Sequence, residues 1–188
     1  MVRIISGTYR GRRLQTPAGT DTRPTSDRVR TALFNILGVW LNGKTVLDVY
    51  AGAGSIGFEC LSRGARHVTF VEQDAGAVRV LHANAAMLQA ERQLRIFNSS
   101  IGHALPLLAS QHFDFIFADP PYRSANLPKL LQTLQAAGIA HAETILVIEH
   151  ARSAGLDEQA VLHGWKAYRC AAYGITSLTF FTLCEVPA

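Results

Sequence analysis

A chain of 188 residues, 48% hydrophobic and 17% charged, has the size and composition of one globular domain with a sizeable core, which excludes a disordered or low-complexity polymer. Met1 to Arg13 holds no apolar run of the secretory type, and no stretch approaches the ~20 apolar residues of a membrane span, so the sequence reads as a soluble, cytoplasmic protein. The formal net charge of +4 is modest but uneven: Arg3, Arg10, Arg12, Arg13, Arg23, Arg28 and Arg30 face only Asp21 and Asp27 in the first thirty residues, while the rest of the chain is close to neutral. Arginine grips phosphate bidentately and stacks on bases, and apolar residues interleave with this block, so it reads as an ordered nucleic-acid-contacting segment rather than a solvated tail. Cys60, Cys170 and Cys184 are far apart, with no CxxC or Cys/His cluster. They read as buried thiols, and no metal is expected.

In chain order, residues 2–16 predict two short strands around Gly7 or Gly11, forming a hairpin. Residues 17–25 are rich in Pro, Thr and Gly and predict a loop. Thr25 or Ser26 can cap a helix to about Leu37, with Val29, Leu33, Phe34 and Leu37 on one face. An alternation follows: strand Thr45 to Val49, helix Ser55 to Arg63 stopped by Gly64, strand His67 to Val71, helix Ala75 to Leu88, and strand Leu94 to Phe97. It continues with a short helix Gly102 to Ala109, strand Phe113 to Ala118, helix Leu127 to Ala137 ended by Gly138, and strand Thr144 to Ile148. Trp165 to Ala172 and Ser177 to Cys184 predict an antiparallel pair. These seven strands with intervening helices imply an α/β fold with a mostly parallel seven-stranded sheet covered on both faces and an N-terminal β-hairpin extension. The expected organisation is a nucleic-acid-contacting extension over residues 1–25 and the α/β domain over 26–188. In such sheets ligands lie beyond the carboxyl ends of the strands, which directs attention to four places: 48–57, 72–74, 98–101 and 119–122.

The first is LDVYAGAGSIGFE, residues 47–59, in which Gly52, Gly54 and Gly57 match G-x-G-x-x-G between a strand and a helix. Glycines there let a ligand approach the backbone, although tight helix–sheet packing explains them equally, Gly57 above all. Glu72 follows about 20 residues on, where a carboxylate grips a ribose diol. That feature suits NAD and S-adenosylmethionine alike. Asp48 separates them: a carboxylate at the first strand tip repels a pyrophosphate and suits the ammonium and sulfonium of S-adenosylmethionine, unless it only accepts loop amides.

The second is Asp119-Pro120-Pro121-Tyr122, after the apolar strand FDFIFA. It resembles the [DNS]-PP-[YFW] motif of nucleic-acid amino-methyltransferases. An exocyclic amine is a poor nucleophile because its lone pair is delocalised into the ring. A carboxylate from Asp119 and the Pro120 carbonyl, on a backbone stiffened by Pro121, can accept its two N–H bonds and favour pyramidalisation. Tyr122 offers a face on which a flipped-out base stacks, worth ~1–3 kcal/mol. Alone, the tetrapeptide could be only a turn. After a glycine loop and Glu72 at successive strand ends, it reads as a methyl-transfer site.

The stretches RIISGTYRGRRLQTP, TRPTSDRVRTALFNIL and LDVYAGAGSIGFECLSRGA, with the looser VIEH and YGITSLTFF, resemble the bacterial RsmD family, 16S ribosomal RNA guanine(966)-N2 methyltransferases. The likeness covers nearly the whole chain, and TRPT-x-DRVR is its most specific part. It implies the Rossmann-like class I fold of S-adenosylmethionine-dependent methyltransferases. Cofactor residues carried over are Asp48, Tyr50, Ala51, Gly52 and Gly54 around the methionine moiety, Glu72 on the ribose with Gln73 beside it, and Ser99, Ser100 and Ile101 near the adenine. The RNA side would be Arg10, Arg12, Arg23, Thr25, Arg28 and Arg30, with Asp27 among them. The implied partner is 16S rRNA or the assembling small ribosomal subunit, met by a monomer. Ser100 departs from a common Asp or Asn, and Tyr50 from the usual Phe. Asn35 reads as structural, Asn84 as lining the cofactor side of its helix or as surface, Glu149 as a helix-cap or sheet-edge residue, and His67 and His82 as surface.

Three rivals remain. A DNA or RNA adenine-N6 methyltransferase shares the chemistry, but the chain has no room for a separate target-recognition domain. A nicotinamide-dependent oxidoreductase explains the glycines and Glu72 and leaves DPPY idle. A non-catalytic RNA-binding module explains only the arginine block.

Overall fold

The computed structural model describes residues 2–17, 27–121, 126–154 and 160–184. Its elements are β1 (Val2–Arg3), β2 (Arg13–Leu14), α1 (Asp27–Leu37), β3 (Thr45–Val49), α2 (Ser55–Ser62), β4 (His67–Glu72), α3 (Ala75–Leu88) and β5 (Leu94–Asn98). There follow α4 (Ile101–Ala104), β6 (Phe113–Ala118), α5 (Leu127–Ala136), β7 (Ala140–Ala151), β8 (Val161–Leu162), β9 (Trp165–Tyr173) and β10 (Thr176–Leu183). The main sheet runs β5-β4-β3-β6-β7-β10-β9-β8. From β5 to β7 neighbouring strands are parallel, and β10, β9 and β8 close the far edge antiparallel. β3 lies between β4 and β6, so the strand order reverses there and opens a crevice at the carboxyl ends.

Period-two alternation explains how the sheet buries both faces. Val46, Val68, Phe70, Phe115 and Phe117 point to one face, against α1, α2 and α3. Leu47, Val49, Val71, Ile116 and Ala118 point to the other, against α4 and α5. Asp48 alternates with its apolar neighbours onto the α2 side, where Gly57 meets it.

The hairpin β1–β2 pairs Val2 with Leu14 and Arg3 with Arg13. Val2, Ile4 and Leu14 join the core formed with α1 and α2. A buried carboxylate fastens the segment. Glu59 of α2 is fully buried and accepts the Ile5 N–H (2.6 Å), the Ser6 N–H (3.0 Å) and Arg63 Nε (2.8 Å). One turn on, the Ser62 carbonyl accepts the Thr8 N–H, and its hydroxyl accepts the Tyr9 N–H.

The structure modifies several expectations. The sheet has eight strands rather than seven, because the two-residue β8 adds an edge to β9. The strand expected at Thr144 to Ile148 runs from Ala140 to Ala151. Pairing with β10 carries it to Ala151, and a register shift lets Ala140 pair with Phe113, although His141 and Glu143 are polar. The helix expected over Gly102 to Ala109 is α4 followed by a 3-10 turn at Leu105–Leu108, where Pro106 lacks the N–H that an α-helix would use. Glu149 is buried mid-sheet opposite Leu178, so it is neither a helix cap nor an edge residue. Of the cysteines only Cys60 is buried; Cys170 and Cys184 are half-buried. The expected caps Thr25 and Ser26, and all but the start of the 17–25 loop, lie outside the described residues.

Glu59→Ala strands two amides and the Arg63 guanidinium. It should cost about 3 kcal/mol in urea unfolding, and amide exchange at Ile5 and Ser6 should accelerate. Unchanged exchange there would mean that apolar contacts alone hold the hairpin.

Candidate active site

Short polar bonds lace the strand ends around the crevice. The Ala51 N–H donates to the Val71 carbonyl (3.2 Å), the Ser99 N–H to the Glu72 carbonyl (3.0 Å), and the Asp119 N–H to the Val49 carbonyl (3.4 Å). Glu72 bridges two loops: Oε2 accepts the Gly52 N–H (2.8 Å) and Oε1 the Asp74 N–H (2.8 Å). A carboxylate has about four lone-pair positions, so Glu72 keeps two with which to accept a ribose diol. Asn98, the last residue of β5, donates to the carbonyls of Glu72 and Gln73.

The three glycines of the loop have different tasks. Gly54 (φ 79°) sits so tightly that a Cβ would approach Leu81 Cδ2 and Phe58 Cε2 to 2.6 Å, and at Gly57 a Cβ would come within 2.3 Å of Phe70. Both are packing glycines. A Cβ at Gly52 (φ 54°) would meet nothing within 4 Å, so this turn faces open space. Tyr50 has φ 60°, a left-handed conformation that costs energy for a bulky residue and concentrates at functional sites.

Asp48 is buried, and its Oδ2 accepts the Gly57 N–H (2.9 Å). Burial pushes its carboxyl from 3.8 up to about 8; the Gly57 bond opposes that rise, and the neighbouring Glu72 charge adds to it. A buried carboxyl held up beside a second carboxylate gains from an arriving cation. The residues present therefore fit the cationic end of S-adenosylmethionine. The amide contact that offered an alternative account of Asp48 is real.

A cavity of about 230 Å³ is lined by Tyr50, Gln73, Ile101, Pro120 and Pro121 together with Asn126, Lys129, Leu130 and Thr133. A smaller pocket adjoining it is lined by Tyr50, Gln73, Ser99, Ser100 and Ile101. The structure thus brings Tyr50, Gln73 and Ile101 of the expected cofactor residues and Pro120 and Pro121 of the DPP segment to one cavity, with Ser99 and Ser100 in the adjoining pocket; Asp48, Ala51, Gly52, Gly54, Glu72 and Asp119 line neither. The Ser100 hydroxyl pairs with His103 Nδ1 (2.8 Å). Asp119 is half-buried at the tip of β6; Tyr122 lies outside the described residues. Sequence reasoning missed the α5 wall. Its signal was a stripe at 126, 129, 130 and 133, one helical face beginning four residues after Tyr122.

The arginine block divides. Arg10, Arg12 and Arg28 are exposed, as are Arg3 and Arg13. Arg12 Nη2 donates to the Met87 carbonyl at the end of α3 (2.8 Å). Arg30 is fully buried and gives Nη2 to the Arg3 carbonyl (2.8 Å) and Asp27 Oδ1 (2.7 Å). Its expected place among RNA-contacting residues is corrected: a fully buried guanidinium braces α1 against β1. Arg23 and Thr25 lie outside the described residues. Asn35 and His82 are exposed, and His67 is half-buried. Asn84 is fully buried, not on the surface. Among the described residues no cluster of His, Cys, Asp and Glu could hold a metal ion, and no helix is long and apolar enough to cross a membrane.

A family model described as conserved hypothetical protein 95 matches residues 2–182. Ribosomal RNA small subunit methyltransferase D of Escherichia coli K12 is 35% identical over 168 residues, 89% of this chain and 83% of that protein. The structure of an Escherichia coli protein superposes with a TM-score of 0.83 at 33% identity, covering 97% of each chain. A hypothetical protein of Thermus thermophilus superposes at 0.82 and 29%, covering 97% of this chain and 100% of that one. A SAM-dependent methyltransferase of Agrobacterium tumefaciens, at 0.54 and 16% over 65% and 44%, shares the fold alone. The fold is thus that of the S-adenosylmethionine-dependent methyltransferases.

With the folded carboxyl raised to about 8, Asp48 is neutral at neutral pH in the free protein. The stability that this neutral form contributes is lost as pH rises through that value. A cationic ligand favours the carboxylate. Binding of S-adenosylmethionine at neutral pH should therefore release a proton, read by calorimetry in buffers of different ionisation enthalpy. The release should vanish in Asp48→Asn and at pH well above 8. Binding without proton release in the unaltered protein would refute this role for Asp48.

Proposed function

Because the chain belongs to the conserved hypothetical protein 95 family, we propose that it transfers a methyl group from S-adenosylmethionine to the exocyclic N2 amine of a guanine in 16S ribosomal RNA. The observation that carries this reading is the shared cavity: Pro120 and Pro121 of the DPP segment and Tyr50, Gln73 and Ile101 of the cofactor loops line one space. The name of the Escherichia coli relative supports the RNA class. Guanine N2 rests on the family resemblance, since the same geometry serves adenine N6.

Bound S-adenosylmethionine supplies an electrophilic methyl group. The chain's own residues do the rest. Asp48 and Glu72 hold the cationic and ribose ends of the cofactor. The Asp119 carboxylate and the Pro120 carbonyl accept the two N–H bonds of the target amine and concentrate its lone pair on nitrogen. Tyr122 stacks on the extruded base and helps hold nitrogen in line for displacement. The methylated nitrogen is strongly acidic, so its surplus proton leaves without a dedicated base. Arg10, Arg12 and Arg28, with Arg23 and Thr25, hold phosphates around that base.

The first test supplies labelled S-adenosylmethionine with naked 16S RNA, partly assembled small subunits or DNA, followed by nucleoside analysis. N2-methylguanosine from one of the RNA acceptors is expected; N6-methyladenosine, or label in DNA alone, would overturn the assignment. In the same assay at saturating cofactor and RNA, Asp119→Ala should lose ~2–4 kcal/mol of transition-state stabilisation. Glu72→Ala should recover much of its rate as cofactor is raised. A near-normal rate for Asp119→Ala would reduce the DPP segment to a turn.

RNA affinity should fall steeply with salt. Removing Arg10 and Arg12 together should flatten the logarithmic slope by about 1–2, leaving the affinity for cofactor as it was. An unaltered slope would return these arginines to a solvated surface.

A further inference from the structure

The buried residues of α3 are Ala77, Val78, Leu81, Asn84, Ala85 and Leu88, and Asn84 is the polar one of the six. Asn84 is fully buried, and its amide spends both hydrogens and one oxygen lone pair on backbone from two separate segments. Oδ1 accepts the Gln15 N–H (2.8 Å), and Nδ2 donates to the Gln15 carbonyl (3.1 Å). Nδ2 also donates to the carbonyl of Ala53 (3.1 Å). Gln15 directly follows β2 of the basic hairpin, and Ala53 lies between Gly52 and Gly54 of the cofactor loop. The same helix reinforces both contacts. Leu81 packs against Gly54, and the Met87 carbonyl receives the exposed Arg12.

A purely apolar residue at 84 would continue the packing of Leu81, Ala85 and Leu88. An amide instead ties a ligand-facing turn to the backbone of the arginine-bearing arm through one planar group. Its two N–H directions are fixed relative to each other, so movement of the Ala53 carbonyl is transmitted to Gln15. We propose that Asn84 is a positioning residue that couples the cofactor loop to the RNA-contacting arm. Filling the loop holds the arm in its RNA-binding position, and bound RNA in turn steadies the loop. This rests on the proposed methyl transfer to RNA and assigns to Asn84 a role that reading did not need.

Coupling of this kind is reciprocal. The test measures 16S RNA affinity with and without S-adenosylhomocysteine, the demethylated cofactor, and S-adenosylhomocysteine affinity with and without RNA. The intact chain should show the same enhancement in both directions, about five-fold or more. In Asn84→Ala that factor should fall to about one. Asn84→Asp preserves the shape and the acceptor but removes both donors, so it should also abolish the factor. A variant lacking Arg10 should bind RNA more weakly and keep the factor, because loss of a phosphate contact does not cut the link. Amide exchange at Gln15 should slow when S-adenosylhomocysteine binds the intact chain and not in Asn84→Asp. A factor of one in the intact chain, or a full factor in a folded Asn84 variant, overturns the proposal while methyl transfer to RNA stands. If the intact chain binds neither ligand, the proposed function fails and the coupling with it.

Discussion

The bond between Glu72 and the Gly52 amide is the constraint around which the crevice is built. β4 delivers the carboxylate, and the loop after β3 delivers the amide, so one 2.8 Å contact sets the spacing between two strand ends. The second oxygen turns back to the Asp74 amide and shapes the entry to α3, where Asp74 in turn caps the helix through the Ala77 N–H. With Gly52 held from that side, Tyr50 is kept at positive φ and faces the cavity. The strain at Tyr50 persists because the sheet on one side and the Glu72 bridge on the other leave the turn no relaxed alternative.

The core stabilises this arrangement from both faces of the sheet. Phe58 and Phe70, packed at 5.0 Å between ring centroids, occupy the space beside Gly54 and Gly57, which brings α2 down onto the strands. That approach aims the Gly57 amide at Asp48 and makes a buried carboxyl tolerable. The result is a buried carboxyl pushed up to about 8, chiefly by burial, beside the carboxylate of Glu72.

Much of this was legible in the residues. Apolar runs with strong periodicity, such as Phe113–Ala118 and Ala75–Leu88, matched their predicted bounds because no competing signal crosses them. The alternation of strands and helices placed the polar residues at strand ends, where the cavity lies. What escaped was set by tertiary pairing. The polar start of β7 pairs only because β6 offers Phe113 to Ala140, and β8 exists because β9 offers an edge. Arg30 carries the same letter as its exposed neighbours, and only the packing of α1 on β1 turns its guanidinium inward. Asn84 gave no composition signal, since its partners are backbone groups of Gln15 and Ala53. The G-x-G-x-x-G pattern likewise conceals two kinds of glycine, two that permit packing and one that faces open space.

α2 anchors both the base of the arm and the end of β3. Its Gly57 amide engages Asp48 under the cofactor loop, and two residues later Glu59 engages Ile5 and Ser6 of the arm. Arg63, at the end of the same helix, closes on Glu59 and lies over Phe34 of α1. The arm is therefore not an appendage whose arginines could be carried on any tether. Its apolar residues share a core with α1 and α2, and its backbone is pinned by a carboxylate that the helix cannot expose without unpairing three donors. The same helix thus holds the backbone of the arm through Glu59 and the strand-end carboxyl of Asp48 through the Gly57 amide, which fixes where the base of the arm lies relative to the crevice.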